Sequence, residues 1–185
     1  MLFVKGGGGY TLCKKELNLP DDDTVADMYE LAVDFLGKKG YDRYEISNFA
    51  KKGCESRHNL KYWKCDDFVG FGAGAFSCAK GVRFSNTADI CRYISAVQSS
   101  GSALADEEVL SDFDRMSEFV FLGLRLRGGI SEIEFKNRFN MNIDEIFGNQ
   151  IEKYTKMGFL IRENENIRFS DKGFFVSNTI LSDFV

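Results

Sequence analysis

The chain has 185 residues, of which 44% are hydrophobic, so it can bury a substantial core in one large or two small domains. Its net charge is −4, and residues 106–185 carry 15 acidic against 10 basic side chains, which argues against a general binder of polyanions. Apolar runs far shorter than roughly 20 residues exclude a membrane-spanning helix. Five cysteines without a C-x-x-C or C-x-x-x-C pair indicate reduced thiols and a cytoplasmic protein.

The N-terminal part predicts a helix that follows an irregular lead-in. Residues 1–20 include four consecutive glycines, which lose much backbone entropy when they are ordered. Three aspartates at 21–23 can cap the next helix and complement its dipole, and Gly40 can end it. Residues 44–49 are then expected to form a strand.

The middle of the chain continues this pattern. The short apolar run 68–71 predicts a buried strand, and a helix is expected to begin at Asn86 or Thr87, with residues 101–112 as a connector. The order helix, strand, loop, strand, helix is typical of the end of an α/β layer. Two strands alone make a marginal sheet in water. Further strands are therefore expected on the N-terminal side or from a partner chain.

The second half predicts a separate helical domain with a hairpin. Residues 113–124 are apolar nearly all round and predict a buried helix. Ser131 and Glu134 fit a capping box for a second helix, and a third should end before Gly158. Two short apolar runs flank residues 163–166 as in a β-hairpin, and Ser170 is expected to cap a last helix. This order predicts a winged-helix-like domain.

A winged helix suggests DNA binding through its third helix and its hairpin. Here, however, the third helix carries more acidic than basic side chains, and a helix that reads a groove needs basic ones to neutralise phosphates. We therefore expect an acidic packing module that binds no nucleic acid. The charged residues of this helix are Asp144, Glu145, Glu152, Lys153 and Lys156.

The polar segment 56–63 is the main candidate site, because it contains the only histidine, His58, and the only tryptophan, Trp63. A neutral imidazole can bind haem iron or zinc or carry a proton, and aromatic side chains such as Tyr62 can pack on a porphyrin. The alternative is that hydrogen bonds hold His58 in a loop while Tyr62 and Trp63 anchor that loop to the core. A zinc site with Cys54, Cys65 and Cys78 is a further alternative, although the spacing matches no common zinc finger.

A glycine-rich segment is the second candidate. Gly70, Gly72 and Gly74 follow the predicted second strand and could bring backbone N–H groups close to an anionic ligand. The segment contains G-x-G-x-x-A, but a dinucleotide fingerprint requires a helix directly afterwards. A tight strand end or a bulge is the alternative explanation for the glycines.

Three segments together resemble one protein family. They are YEISNFA at 44–50, SRHNLKYW at 56–63 and GFGAGA at 70–75. They are similar to the C-terminal half of the HemN/HemW family, radical SAM proteins that include oxygen-independent coproporphyrinogen III oxidases and a haem-chaperone branch. The H-N-x-x-Y-W pattern at 58–63 points to the chaperone branch, and residues 119–125 look like the family's C-terminal domain.

The resemblance implies a fold and a function. Residues 21–105 would be the C-terminal units of an incomplete partial (β/α)6 radical SAM barrel, and residues 106–185 the winged-helix-like C-terminal domain. The function would be haem binding and transfer to an acceptor protein, with His58 as the iron ligand and Asn59, Tyr62 and Trp63 beside it. The alternative is oxidative decarboxylation of coproporphyrinogen III to protoporphyrinogen IX.

The resemblance also implies what this chain should lack. The family's C-x-x-x-C-x-x-C motif, which holds a [4Fe-4S] cluster that acts with S-adenosylmethionine, is absent from these 185 residues. The cluster, S-adenosylmethionine and catalytic residues are therefore expected only in a full-length protein, and a dimer could form through the cut edge of the barrel. Relatives often carry a histidine where this chain has Phe76, and an aromatic residue where it has Cys78.

Overall fold

The computed structural model describes residues 20–185, so the predicted lead-in lies almost entirely outside the described residues. The fold mixes helices with short antiparallel sheets. The N-terminal region, residues 20–109, contains α1 (Asp22–Lys38), β1 (Asp42–Arg43), β2 (Phe49–Ala50), α2 (Arg57–Trp63), β3 (Phe76–Ala79), β4 (Val82–Asn86), α3 (Ile90–Ser100) and β5 (Leu104–Val109). The C-terminal region, residues 110–185, contains α4 (Asp112–Gly123), β6 (Ile130–Ser131), α5 (Glu132–Phe139), α6 (Ile143–Lys156), β7 (Leu160–Glu163), β8 (Asn166–Phe169), α7 (Asp171–Phe175), α8 (Ser177–Leu181) and a final 3-10 turn (Ser182–Phe184).

Helix α1 begins where the sequence predicts. The Asp21 side chain accepts a hydrogen bond from the Thr24 N–H at 2.8 Å, and Gly40 follows the helix with a left-handed φ of 79°. The apolar stripe of α1 is exposed, however: Leu31 and Phe35 keep 68% and 58% of their surface accessible. The described part of the chain therefore does not cover this face of the helix.

Two strand predictions and one connector prediction in the N-terminal region are wrong, and the helix expected to begin at Asn86 or Thr87 begins only at Ile90, as α3. Of the predicted strand 44–49 only Phe49 lies in a strand, β2; residues 44–48 form the turn of the β1–β2 hairpin, where Glu45 accepts from the Ser47 N–H and the Asn48 amide. In the segment 68–71, Phe68 bridges Cys78 while Phe71 is 89% exposed, so no buried strand forms there.

The third wrong prediction is the connector at 101–112. Those residues include β5, which pairs antiparallel with β4 in a sheet of order β3-β4-β5. All six residues of β5 are exposed, so its sequence has no alternation of apolar and polar residues that would predict a strand. Main-chain hydrogen bonds to β4 hold β5 in place.

The C-terminal region follows its predictions closely. The helices α4, α5 and α6 and the β7–β8 hairpin are confirmed, and Ser131 caps α5 by accepting from the Glu134 N–H. The hairpin turn holds Asn164 and Glu165 at φ values of 52° and 60°, as in a two-residue type I′ turn. The predicted last helix begins after Ser170 but is divided into α7, α8 and the 3-10 turn. No described helix is long and apolar enough to cross a membrane.

The β1–β2 hairpin meets the C-terminal region through polar and aromatic contacts. The Arg43 guanidinium lies 4.0 Å from the centroid of the Phe174 ring and donates to Asp171. The Arg127 N–H donates to the Tyr44 carbonyl at 3.0 Å. These contacts fix the β1–β2 hairpin against the C-terminal region.

Candidate functional site

The segment with the only histidine is a helix, not the predicted loop. Ser56 caps α2, because its side chain accepts from the Asn59 N–H at 3.3 Å. Helix α2 has seven residues and none of them is buried. The segment is mostly polar, and its aromatic residues span only one helical turn. Its apolar residues therefore repeat too weakly to predict this helix from the sequence.

His58 and Tyr62 lie one turn apart and contact each other on the exposed side of α2. The His58 Nε2 and the Tyr62 hydroxyl are 3.1 Å apart, within hydrogen-bond distance. Their rings meet edge to face with centroids 5.0 Å apart and an interplanar angle of 89°. Tyr62 in turn packs against Phe68 with ring centroids 4.7 Å apart. The imidazole therefore stands at the end of a row of aromatic rings and remains open to solvent.

Trp63 and Asn59 do not join this row by any contact that the structure records. Trp63 is half-buried and lines a small cavity of about 60 Å³ together with Phe119, Leu126 and Ile130 of the C-terminal region. Its indole N–H is buried without a hydrogen-bond partner. Asn59 contributes its backbone N–H to the Ser56 cap. Trp63 thus anchors α2 to the C-terminal core, as the alternative interpretation of the segment expected, whereas Tyr62, which that interpretation also placed against the core, lies on the exposed side of α2.

The cysteines and His58 are not arranged as a metal site. Within residues 20–185, no group of three or more histidine, cysteine, aspartate or glutamate side chains is placed to bind a metal ion. The alternative zinc site of Cys54, His58, Cys65 and Cys78 is therefore not assembled. Burial raises the pKa of the Cys65 thiol to about 12, with the nearby charge of Glu118 adding to the effect. The raised pKa favours the protonated form of this thiol.

The backbone of the glycine-rich segment makes hydrogen bonds to neighbouring parts of the N-terminal region. The Gly70 N–H donates to the Ser77 hydroxyl, and the Gly74 N–H donates to the Thr87 carbonyl. A Cβ at Gly70 would collide with the carbonyl oxygen of Phe76, so the close approach that this glycine permits is to strand β3. Gly72 and Gly74 have positive φ values of 106° and 69°, which shape the turn.

A larger groove of about 620 Å³ lies elsewhere, between α1, β1 and α7. Its charged lining is balanced: Lys38 pairs with Asp34, while Arg43 and Arg127 both pair with Asp171. Because these charges are paired, the lining favours neither an anionic nor a cationic ligand. We therefore assign no functional residue to this groove.

The sequence did not identify Phe68 and Phe76 as site residues. Phe68 was assigned to a buried strand, yet it supports Tyr62, and Phe76 begins β3 with 63% of its surface exposed. The available signal was the density of aromatic residues at 62–76. Which of these aromatic residues share a face depends on cross-strand pairing. That pairing could not be inferred from the sequence, because the strand predicted at 68–71 is wrong.

Comparison with known proteins links the chain to one family. Residues 110–176 match the family described as the HemN C-terminal domain. The heme chaperone HemW of Lactococcus lactis is 37% identical over 169 residues, which are 91% of this chain and 44% of the relative. The heme chaperone HemW of Bacillus subtilis is 31% identical over 177 residues, or 95% of this chain and 47% of the relative.

A more distant relative and a solved structure agree. A zebrafish (Danio rerio) protein, radical S-adenosyl methionine domain-containing protein 1, mitochondrial, is 28% identical over 90% of this chain and 40% of its own length. The structure of the radical SAM enzyme coproporphyrinogen III oxidase (HemN) from Escherichia coli superposes with a TM-score of 0.71 at 18% identity, covering 92% of this chain and 43% of that one. The chain thus spans less than half the length of the relatives it matches.

Proposed function

We infer that this chain, which belongs to the HemN/HemW family and corresponds to the C-terminal half of its members, contributes to haem binding and transfer. The observation that carries this proposal is the position of His58. It is exposed on α2 at the end of a row of aromatic rings, within a sequence that is 37% identical to a haem chaperone. Haem is the cargo in this proposal, and His58 is its iron ligand.

The local geometry of His58 fits an exchangeable ligand. An imidazole binds iron through a ring nitrogen that carries no proton. The Nε2 of His58 is engaged with the Tyr62 hydroxyl, so iron would either displace that hydroxyl or bind Nδ1. The Tyr62 ring, supported by Phe68, provides an apolar neighbour for the porphyrin edge. A ligand that is held by one exchangeable hydrogen bond suits a protein that takes up haem and releases it.

The proposal includes a specific domain organisation. Residues 21–105 would be the last units of an incomplete partial (β/α)6 barrel, and residues 106–185 a winged-helix-like domain. The order α4, α5, α6 and then the β7–β8 hairpin supports the second assignment. The exposed apolar stripe of α1 supports the first, since a barrel helix buries such a stripe against strands. The [4Fe-4S] cluster and S-adenosylmethionine would belong to the other half of a full-length protein.

Partners follow from the same reasoning. A haem acceptor protein is proposed as the recipient, and a dimer through the cut barrel edge is a further proposal. Nucleic acid is not a proposed partner, because every basic side chain of α6 and the β7–β8 hairpin pairs with a carboxylate: Lys153 with Asp183, Lys156 with Glu152, Arg162 with Glu132 and Asp144, and Arg168 with Glu163. Four free cysteines among the described residues support a reducing, cytoplasmic compartment.

Decarboxylation of coproporphyrinogen III, the alternative activity, has weaker support. The likeness to coproporphyrinogen III oxidase is one of fold at 18% identity. Within this chain we propose no catalytic residue for that reaction.

Haem titration followed by absorbance tests the proposal. Titration of the chain under reducing, anaerobic conditions should give a saturable Soret shift at one haem per chain. His58→Ala should lose that shift, because the imidazole supplies the iron ligand. Tyr62→Phe should keep the shift, since it removes the hydroxyl that competes for Nε2 but retains the ring.

Lys61→Ala is the matched control, because Lys61 is also exposed on α2 but is not a proposed ligand of the haem iron. It should bind haem like the unaltered chain. Equal Soret shifts in His58→Ala and Lys61→Ala would overturn the assignment of His58. Absence of any saturable binding by the unaltered chain would overturn the proposal for this chain.

A further inference from the structure

The surface next to α2 contains phenylalanine side chains that are unusually open to water. Phe76 is 63% exposed and Phe71 is 89% exposed, and both lie within or beside the segment that follows α2. Neither side chain is required by the core cluster, whose buried members all lie in the C-terminal region. Large exposed apolar side chains close together are typical of a binding surface.

Strand pairing places Phe76 on the same face as the ring that supports Tyr62. Phe68 and Cys78 exchange two backbone hydrogen bonds, of 2.8 and 3.0 Å, so their side chains lie on the same side of the sheet. Side chains alternate along a strand, so Phe76, two residues before Cys78, shares that side as well. Diagonal neighbours in such a pair have Cβ atoms about 7–8 Å apart, which places Phe76 next to Phe68.

The aromatic face therefore extends from α2 to β3, with recorded ring contacts as far as Phe68 and strand register placing Phe76 beyond it. His58 contacts Tyr62, Tyr62 contacts Phe68, and Phe68 is the diagonal neighbour of Phe76. Beside Phe68 and Cys78 the aromatic face is bounded by the ion pair between Arg83, which is opposite Cys78, and Glu118 of α4. Beyond Phe76 the cross-strand neighbours are Ser85 and then Asp106, so the apolar surface ends there.

The aromatic composition of this surface and its open imidazole fit a porphyrin. It is apolar and aromatic along one direction, it is bounded by polar side chains, and it has a single imidazole at its far end. A flat ring system can rest on such a row while its central metal reaches the imidazole. Phe76 is then the more exposed of the two phenylalanines that such a ligand would cover in this row.

We propose that Phe76, together with Phe68 and Tyr62, forms the surface on which the porphyrin ring of haem rests, while His58 binds its iron. This inference rests on the proposed function and extends it, because it assigns ring binding to β3 and iron binding to α2. The two contributions are separable: the aromatic row recognises a porphyrin with or without its metal, whereas His58 recognises the metal.

Binding of metal-free protoporphyrin IX and of haem to the same variants tests this inference. Phe76→Ala should weaken the binding of both ligands about tenfold, since it removes an aromatic contact. His58→Ala should weaken haem binding only and leave the affinity for protoporphyrin IX unchanged. Affinities are measured by quenching of Trp63 fluorescence for both ligands, and by Soret absorbance for haem.

Phe35→Ala controls for nonspecific adsorption of porphyrin to exposed rings. Phe35 is 58% exposed, close to the 63% of Phe76, but it lies on α1. It should bind both ligands like the unaltered chain. Both phenylalanines are exposed, so neither variant should lose the fold, and far-UV circular dichroism checks this.

The outcomes separate the inference from the proposed function. If haem binding depends on His58 while Phe76→Ala and Phe35→Ala have equal affinities, the ring surface is elsewhere and the inference is overturned alone. If the unaltered chain binds neither ligand, both are overturned. If protoporphyrin IX binding depends on Phe76 but haem binding does not depend on His58, the ring surface stands and the iron ligand is wrong.

Discussion

The N-terminal and C-terminal regions bury apolar side chains in different ways. Among residues 20–185, the connected core consists of 17 buried residues, all between Met116 and Phe184. By contrast, α1, α2 and α3 have no buried residue in the described structure, and the apolar stripes of α1 and α3 remain exposed. The C-terminal region thus supplies its own hydrophobic driving force, while the N-terminal region depends on a few attachments to it.

This difference bears on the candidate site, which lies on the less densely packed region. Trp63 fastens the end of α2 to the C-terminal core, while His58 and Tyr62 stay on the open side of the same helix. An anchored helix with a free face can present a ligand without burying it. The following substitutions test whether stability and binding are divided between the regions in this way.

The largest expected effect comes from the core. Phe147 is 1% exposed and contacts Phe135 and Phe184, so Phe147→Ala should lower the free energy of unfolding by about 3–5 kcal/mol. Leu31→Ala, at a position that is 68% exposed on α1, should change it by less than about 0.5 kcal/mol. Urea unfolding followed by circular dichroism measures both. Similar losses of stability in Phe147→Ala and Leu31→Ala would show that the apolar stripe of α1 is covered in solution.

The next effect compares two glycines with left-handed backbones. Gly129 has a φ of 71°, and a Cβ there would collide with the Ile167 carbonyl oxygen of β8. Gly53 has a φ of 81° but open space around it. Gly53→Ala should cost about 1 kcal/mol from backbone strain alone, and Gly129→Ala about 2–4 kcal/mol because the clash is added.

Thermal unfolding of the two glycine variants checks this difference. Both substitutions impose the same residue on a similar φ, so backbone strain is matched between them. An equal loss of stability would mean that the β6–β8 contact can relax around a Cβ. It would also mean that the C-terminal region is less rigidly packed than its core suggests.

A smaller effect is expected at the junction of the regions. The Arg43 side chain is 5% exposed, stacks on Phe174 and pairs with Asp171, whereas Arg127 pairs with the same carboxylate while 42% exposed. Arg43→Ala should lower stability by about 1–2 kcal/mol, because it removes a stacked and desolvated cation. Arg127→Ala should cost less than about 0.5 kcal/mol, because exposed ion pairs contribute little.

Limited proteolysis adds a readout specific to the junction. Cleavage within the β1–β2 hairpin should accelerate in Arg43→Ala and not in Arg127→Ala, because only Arg43 holds the hairpin on α7. Unchanged cleavage in both would assign the attachment to the backbone contact between Arg127 and Tyr44 instead.

The same contrast explains which elements could be predicted from the sequence. Helix α6 was predictable because Phe147, Ile151 and Tyr154 recur at helical spacing and all three are buried. Strand β5 was not, because none of its side chains is buried and its position depends on hydrogen bonds to β4. An apolar period marks a helix whether its stripe is buried, as in α6, or exposed, as in α1 and α3, but it cannot mark a strand such as β5 that has no apolar alternation.

The candidate site was predictable only in part for a related reason. The chemistry of His58 and Tyr62 could be read from residue types, and their contact follows once α2 is a helix, because i and i+4 share a face. The contribution of Phe68 and Phe76 depends on the Phe68–Cys78 bridge between distant segments. No local pattern specifies such a pairing, so these residues became visible only in the structure.

The smallest effect at neutral pH concerns Cys65, which lies directly after α2. Burial raises the pKa of its thiol to about 12, above the usual value of about 8.5 that it would have in an unfolded chain. Below about pH 8.5 both states keep the proton, so the thiol adds no pH dependence there. Between about pH 8.5 and 12 the unfolded chain loses the proton more readily, so stability should fall as pH rises.

Cys65→Ala should remove this alkaline loss of stability, and Cys54→Ala should not, because Cys54 is exposed. Unfolding midpoints from pH 8 to 11 measure the difference. Iodoacetamide should also modify Cys54 well before Cys65 at pH 8, since Cys54 is exposed whereas burial of Cys65 limits access and raises the pKa of its thiol. If both thiols react at the same rate, the junction between α2 and the C-terminal region opens readily. Trp63 would then not hold the site in place.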